Sequence, residues 1–489
     1  MKIIHKKLMR AGFCLSALLL LQACNFLDLK PFDKKPADLA LNSISGANSM
    51  LTQAYAALNN YYGDNLYRVS ELYTDNINEE TVELSYGDFA GESFGTFNGL
   101  NGGIWSNGYN AVFYSNVIIH IIEDNIAQDG TEEDKTALRG QAYFVRALGH
   151  FDVLNIYALP YTVNNGATPG IPIRTKYVTT ENAFEKIGRN TVAEVYTQII
   201  SDLNKAIELL PEIQPAPYAD KRAAKALLAR VYFNMENYQE AFNASDAVIS
   251  ASGAQPRQDS IWRPFQVTLG FASPRTIQSN AGLIFQLVEA PTQDNSGGIR
   301  GMFFAPTTPT LNNRYLAMDT VGIDNNYTSS IVADFRAVGG DYLTQLSYAP
   351  VNKAFTTPVY ALNKFYNINP VNIPVIRMNE MYLTRAESRA MIGGDEAAVR
   401  SDVNYVRHIA HLDDDNSISG KDNLLAWIHK LRRVEMAGEG DHFRELRRLK
   451  STAMRKLISG NKVRYDDRSK LLKIPTSETN ANPAIEQNN

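Results

Sequence analysis

A chain of 489 residues, 44% hydrophobic and 20% charged, can bury a large core and lacks the composition of a disordered protein. Its formal charge is −4, and −8 once four basic residues at the N-terminus are set aside, which argues against nucleic acid and other polyanions as partners. Cys14 and Cys24 are the only cysteines, so stability has to come from the core and not from a disulfide framework.

The first element is a leader. Lys2, Lys6, Lys7 and Arg10 accompany an apolar stretch over 11–21, with no acidic residue among them. That stretch is about half the ~20 residues needed to cross a bilayer, so it reads as a secretory signal and not as a membrane span. Leu21-Gln22-Ala23-Cys24 resembles the bacterial lipobox, with the cut between Ala23 and Cys24. The resemblance implies a diacylglyceryl thioether and an acylated amine on Cys24. Two or more chains anchor a protein stably where one does not. The alternative, Cys24 as an ordinary small residue of a leader, is disfavoured by the placing of Leu21, Ala23 and the basic residues. The expected organisation is a signal peptide over 1–23, a lipidated tether over 24–40 and a single body over 41–489. Asp28, Lys30, Pro31, Asp33 and Pro36 leave the tether little to bury. Cys14 is lost with the leader.

Helical periodicity starts after the tether. Ile44, Met50, Leu51, Tyr55 and Leu58 predict a helix over about 44–60, and a second is expected over 109–127. A third, over 132–157, carries Leu138, Ala142, Val145, Leu148, Phe151 and Leu154 at three-to-four spacing and stops before Pro160. Phe144 and Ala147 fall outside that stripe, which predicts cover on more than one side. Val195, Ile199, Leu203, Ala206 and Leu210 form the next stripe, capped by Asn190 or Thr191 and ended by Pro211. Helices over 221–235 and 238–251 follow. Ala223, Ala224, Ala226 and Ala229 let such a pair approach closely, while Tyr232 and Tyr238 fill the gap between turns, a tetratricopeptide-like pattern. Residues 378–393 and 396–411 read as a second pair. Stacked pairs would share a continuous core.

Two regions interrupt the helices. Residues 61–106 hold seven glycines among aromatic and polar residues, and 252–376 hold ten prolines. Neither predicts long regular helix. Short strands are expected over 283–288 and 371–376. Long irregular segments in a compact domain tend to be functional surfaces. The body therefore reads as an N-terminal helical half (41–251, with the insert 61–106), an irregular ligand-side region (252–376) and a C-terminal helical segment and tail (377–489).

Four stretches together resemble the SusD/RagB family of Bacteroidetes outer-membrane lipoproteins. They are Leu27-Asp28-Leu29-Lys30-Pro31; Ala137-Leu138-Arg139-Gly140-Gln141-Ala142-Tyr143-Phe144 leading to Tyr157 and Pro160-Tyr161; Val375 to Leu383 running into Ala386-Glu387; and Ile474-Pro475 with Glu478, Asn482-Pro483 and Gln487-Asn488. The resemblance implies a mainly α fold of about four tetratricopeptide-like helix pairs, with large irregular loop regions and short strands. It further implies packing against a SusC/RagA-like TonB-dependent transporter and capture of a glycan, or sometimes a peptide, by the loop-rich side, without chemistry or a cofactor. The chain departs from the family pattern at Leu431-Arg432-Arg433, where Glu-Arg-Arg is usual. It departs again at His442 and Glu445, where arginine and aspartate are usual. These positions read as structural ion pairs.

Aromatic residues lead the list of candidate ligand contacts, because sugar rings stack their C–H faces on them beside polar partners. Trp262 lies in the irregular region between Arg257 and Arg263 and is the tryptophan best placed for a platform. Tyr67, Tyr86, Phe303 and Tyr315 are the further aromatic candidates, with Asp75 and Arg314, and also Asn76, Asn98 and Arg300, as hydrogen-bonding neighbours. Trp105 and Trp427 read as structural. His408 and His411 share a helical face but have no third ligand nearby, and Asp413-Asp414-Asp415-Asn416 lacks the glycine and glutamate of a calcium loop. No nucleophile elbow or phosphate loop is present, and scattered carboxylates do not make a glycosidase pair. A surface glycoside hydrolase and a helical-repeat scaffold for an envelope complex remain as alternatives to nutrient capture.

Overall fold

The computed structural model describes residues 42–63, 65–78, 98–178, 182, 185–214, 216–251, 282–288, 318–320, 329–340, 346–349, 359–362, 372–456 and 460–488. The N-terminal helices are α1 (Ile44–Tyr62), α2 (Asn65–Leu72), α3 (Asn98–Glu123), α4 (Glu132–Tyr157), α5 (Val192–Leu209), α6 (Lys221–Asn234) and α7 (Tyr238–Ala251). Their starts are written in polar side chains. Thr131 with Asp134 and Thr191 with Glu194 form reciprocal capping boxes on α4 and α5, and Asp220 accepts from Ala223 N–H on α6. Each satisfies donors that a first helical turn leaves free.

Successive helices pack on one another: α1 on α3, α3 on α4, α4 on α5, α5 on α6 and α6 on α7. The chain then passes through β1 (Leu283–Leu287), α8 (Ile331–Val338), the hairpin β2 (Leu346–Ala349) and β3 (Val359–Leu362), and β4 (Ile373–Arg377). It rejoins the stack with α9 (Met378–Met391), packed on α7, and α10 (Glu396–Ile409), packed on α9. The pairs α1/α3, α4/α5, α6/α7 and α9/α10 are the tetratricopeptide-like scaffold. α11 (Lys421–Glu435) and α12 (Asp441–Arg448) lie over it, followed by the ribbon of β5 (Arg455–Lys456) and β6 (Lys462–Val463) and by α13 (Thr476–Ala481). β1 and β4 pair antiparallel, with Leu287 opposite Ile373 and Leu283 opposite Arg377.

Small residues set the spacing of the stack. A methyl added at Gly149 of α4 would lie 3.0 Å from the Gly108 carbonyl oxygen of α3, and one at Gly140 would lie 3.1 Å from Leu209 and Leu210. α4 is buried from both sides, with Phe144 and Ala147 fully covered as well as the main stripe. Arg146 of α4 grips Asp202 of α5 with two hydrogen bonds (2.7 and 2.8 Å) and donates to Asn116 of α3 (2.9 Å). Three helices are thereby keyed to one guanidinium.

The structure departs from the sequence expectation in three places. α3 starts at Asn98, not near Tyr109, and runs through Gly99, Gly102, Gly103 and Gly108. Packing on α1 and α4 overrides the poor helix propensity of glycine. The insert 61–106 contains α2, which is buried on nearly every side. The 252–376 region contains α8, capped by Ser330, whose side chain accepts from Ala333 N–H, and closed by Gly339 at φ 76°. The tail is latched in place. Asn488 donates to the carbonyls of Tyr157 and Leu472 (2.8 Å each), and Gln487 brackets Ile474 N–H and C=O (2.7 and 2.8 Å). Among the described residues, no helix is long and apolar enough to cross a membrane.

Candidate functional site

α2 and the turn after it hold three of the predicted ligand contacts, Tyr67, Asp75 and Asn76, and all are used internally. Tyr67 is 3% exposed; its hydroxyl donates to the Pro374 carbonyl (2.5 Å) and its ring meets Tyr62 edge-on with centroids 5.6 Å apart. Tyr67 is a core residue and not a stacking platform, because the segment around it is a buried helix and not a loop. Tyr73 is likewise buried, donating to the Lys470 carbonyl (2.7 Å).

Asp75 and Asn76 belong to a buried charge cluster that joins this turn to α8, α11 and α12. Arg433 contacts Asp75 (3.1 Å), donates to Asn76 Oδ1 (2.9 Å) and binds Asp334 (2.8 Å). His442 meets Asp75 through Nε2 (2.8 Å) and Glu445 through Nδ1 (3.0 Å). Burial opposes a charge on His442, but hydrogen bonds to Asp75 and Glu445 outweigh it and push its pKa up to about 9. Burial would raise the Asp75 carboxyl; the Arg433 charge and the His442 hydrogen bond overcome this and hold it below its ordinary value. Beneath them Glu71 accepts from Gly438 N–H and Gly440 N–H (3.1 Å each). Gly440 has φ 68°, a left-handed conformation that favours glycine. Asp75 and Asn76 are therefore structural partners and not free hydrogen-bonding groups for a ligand. The departures from the family pattern at His442 and Glu445 are accommodated as an ion pair.

The remaining predicted contacts, Trp262, Tyr86, Phe303, Tyr315 and Arg314, lie outside the described residues, as do Cys24 and Arg300. Asn98 opens α3, but its side chain is also outside them. Trp105 is 2% exposed against Tyr109 and Tyr157, and Trp427 is half-buried on α11 with the Arg407 guanidinium 5.7 Å over its ring. His408 pairs with Asp414 (2.5 Å), and no group of metal ligands exists among the described residues.

Sequence reading missed a pocket of about 270 Å³ between α3, the 172–178 segment with Asn182, Glu185 and Ile187, and the tail. Tyr109, Val112 and Phe113 line it from α3, Arg174 and Lys176 from the 172–178 segment, and Glu478 and Ile485 from the tail. No sequence signal marked it, because the groups that complete the pocket are far apart in the chain; in the structure Phe113, a large apolar residue, remains 40% exposed.

With this geometry in view, residues 25–233 match the family described as starch-binding associating with outer membrane, and residues 323–489 match the SusD family. A SusD-like protein of Bacteroides ovatus is 30% identical over 130 residues, 27% of this chain and 22% of that protein, so the match spans well under two thirds of this curated relative. A SusD superfamily protein of Bacteroides thetaiotaomicron VPI-5482 superposes with TM-score 0.76 at 23% identity, over 91% of this chain and all of that one. A Bacteroides vulgatus ATCC 8482 protein described as sugar-binding gives TM-score 0.72 at 25% identity, covering 91% and 98% of the two chains.

Proposed function

The chain belongs to the SusD/RagB family, and from that premise we propose that it is a surface-exposed outer-membrane lipoprotein that captures a nutrient and delivers it to a SusC/RagA-like TonB-dependent transporter. The reading is carried by the N-terminal family match, whose description joins carbohydrate binding to the outer membrane. An oligosaccharide is the favoured ligand and a short peptide the second. Cys24 is the proposed lipid attachment site. The protein binds without catalysis and needs no cofactor.

The helical pairs support this division of labour, since their side chains are taken up in packing and ion pairs. With Tyr67 and Asp75 committed to the interior, the proposed contacts are Trp262, Tyr86, Phe303 and Tyr315, with Arg300 and Arg314 beside them. A capture protein has to release its cargo. Dissociation constants from micromolar to millimolar correspond to only ~4–8 kcal/mol, so one stacked ring carries a large share.

Calorimetry against oligosaccharides and peptides tests the reading. Trp262→Ala loses affinity at an unchanged melting temperature; turnover of a glycan during the titration would instead make the protein a hydrolase. Cys24→Ala leaves an unprocessed or soluble protein, and full retention in the outer membrane with labelled fatty acid would refute the anchor. Purification from native membranes in mild detergent recovers a barrel transporter with it; recovery of the lipoprotein alone counts against the partner.

A further inference from the structure

The α3 pocket combines an apolar floor with charges that the chain itself does not use. Its floor is built from Tyr109, Val112, Phe113, Ile173 and Ile485. Several neutral polar groups there are engaged: Tyr109 O–H donates to the Pro172 carbonyl (2.7 Å), Asn116 donates to the Arg174 carbonyl (3.1 Å) while accepting from Arg146 (2.9 Å), and Asn182 donates to the Tyr177 carbonyl (2.8 Å); Thr175 also lines the pocket. A neutral glycan can hydrogen-bond to charged groups but brings no charge to match them. The lining also carries charge of both signs. Arg174 and Lys176 come from the 172–178 segment, while Glu185 and Glu478 come from other segments of the lining. Among the described residues, no hydrogen bond or ion pair takes up the charged ends of these four.

We propose that this pocket binds a small zwitterion with an apolar side chain, of the size of leucine or phenylalanine. The side chain lies on the aromatic and aliphatic floor. The carboxylate meets Arg174 and Lys176, and the ammonium meets Glu478 and Glu185. A simple apolar acid would satisfy the cations but face two carboxylates. A simple amine would face the reverse. The volume, about 270 Å³, lies just under the ≈ 300 Å³ lower bound of drug-sized pockets, which fits one residue-sized ligand and not an extended chain. The described residues that line the pocket are not those proposed to hold the nutrient, so this inference does not rest on that reading.

The test uses the full mature chain as the non-lipidated Cys24→Ala protein, with saturation-transfer NMR and calorimetry. The probes are L-phenylalanine, N-acetyl-L-phenylalanine and L-phenylalaninamide. Phenylalanine binds saturably, and loss of either charge weakens binding by about tenfold or more, as expected for a charged hydrogen bond. Arg174→Gln removes the preference for phenylalanine over its amide. Glu478→Gln removes the preference over the N-acetyl form. Arg174 and Glu478 are both only partly buried, so the two variants melt like the parent. The proposal is overturned if phenylalanine and leucine show no saturable binding at tens of millimolar. It is equally overturned if the three probes bind alike, or if both variants keep the parent's preferences.

Discussion

In the α3–α4–α5 stack, backbones meet where Gly108 faces Gly149, and the Arg146–Asp202 pair crosses a mostly apolar interface. In the layer of α9, α11 and α12, buried guanidinium groups do the joining. Arg377 reaches Glu435 (2.5 Å) and Glu439 (2.7 Å), Arg432 reaches Asp441 (2.7 Å) and Arg448 reaches Glu387 (2.6 Å). The first region is sensitive to volume and the second to the loss of any one charge. Two histidines show the contrast. His150 in the stack is fully buried; burial and the Arg146 charge press its pKa down to about 3, and its Nε2 accepts from Arg174 N–H. His442 in the charged layer is equally buried, yet carboxylates on two sides hold it near 9 against the opposing Arg433 charge. Burial alone does not set the charge of a group; its neighbours decide.

The largest expected effect is in the charged layer. Arg377→Met leaves the Glu435 and Glu439 carboxylates buried without their cation, costing about 3–5 kcal/mol. Chemical denaturation that shows a loss under 1 kcal/mol, on the scale of an exposed pair, would mean that water or another cation reaches this site.

Next comes pH. The folded His442 pKa lies above the ordinary value of about 6.5, so its stabilisation is complete below pH 6.5 and disappears as pH rises through about 9. Within that window stability falls by about 1.4 kcal/mol per pH unit. His150 has the opposite sign. Its contribution is complete above pH 6.5 and is lost as pH falls towards about 3. Melting temperature against pH is therefore expected to decline on both sides, and His442→Arg, which does not titrate in this range, flattens the alkaline side only. An alkaline limb unchanged in that variant would show that another group controls it.

The smallest effects separate volume from propensity within the stack. Gly149→Ala gains helix propensity but drives a methyl to 3.0 Å from the Gly108 carbonyl, with a net loss of about 1–2 kcal/mol expected. Gly102→Ala in α3 meets nothing within 4 Å and gains up to ~1 kcal/mol. The same sign for both substitutions in thermal melts would mean that α3 and α4 separate to accept the methyl.

Local pattern was enough to locate α4, α5, α6, α7, α9 and α10, because three-to-four periodicity, capping residues such as Thr191 and terminators such as Pro160 and Pro211 act within one or two turns. Local pattern also carried the family resemblance and the tail motif. The early start of α3, the helix α2 and the burial of Tyr67 were not legible. A glycine-rich, aromatic segment reads as loop until α1, α4 and α12 supply the surfaces that cover it. Asp75 looked like a ligand group because nothing in its neighbourhood along the chain announces Arg433 or His442. Arg174 and Glu478 meet the same pocket from distant segments for the same reason. Sequence by itself settled most of the helical scaffold and the family resemblance, since those depend on neighbours a few residues away. Whether a polar side chain is a structural partner or a free binding group was decided only by the tertiary fold, which brings its counter-charges from hundreds of residues away.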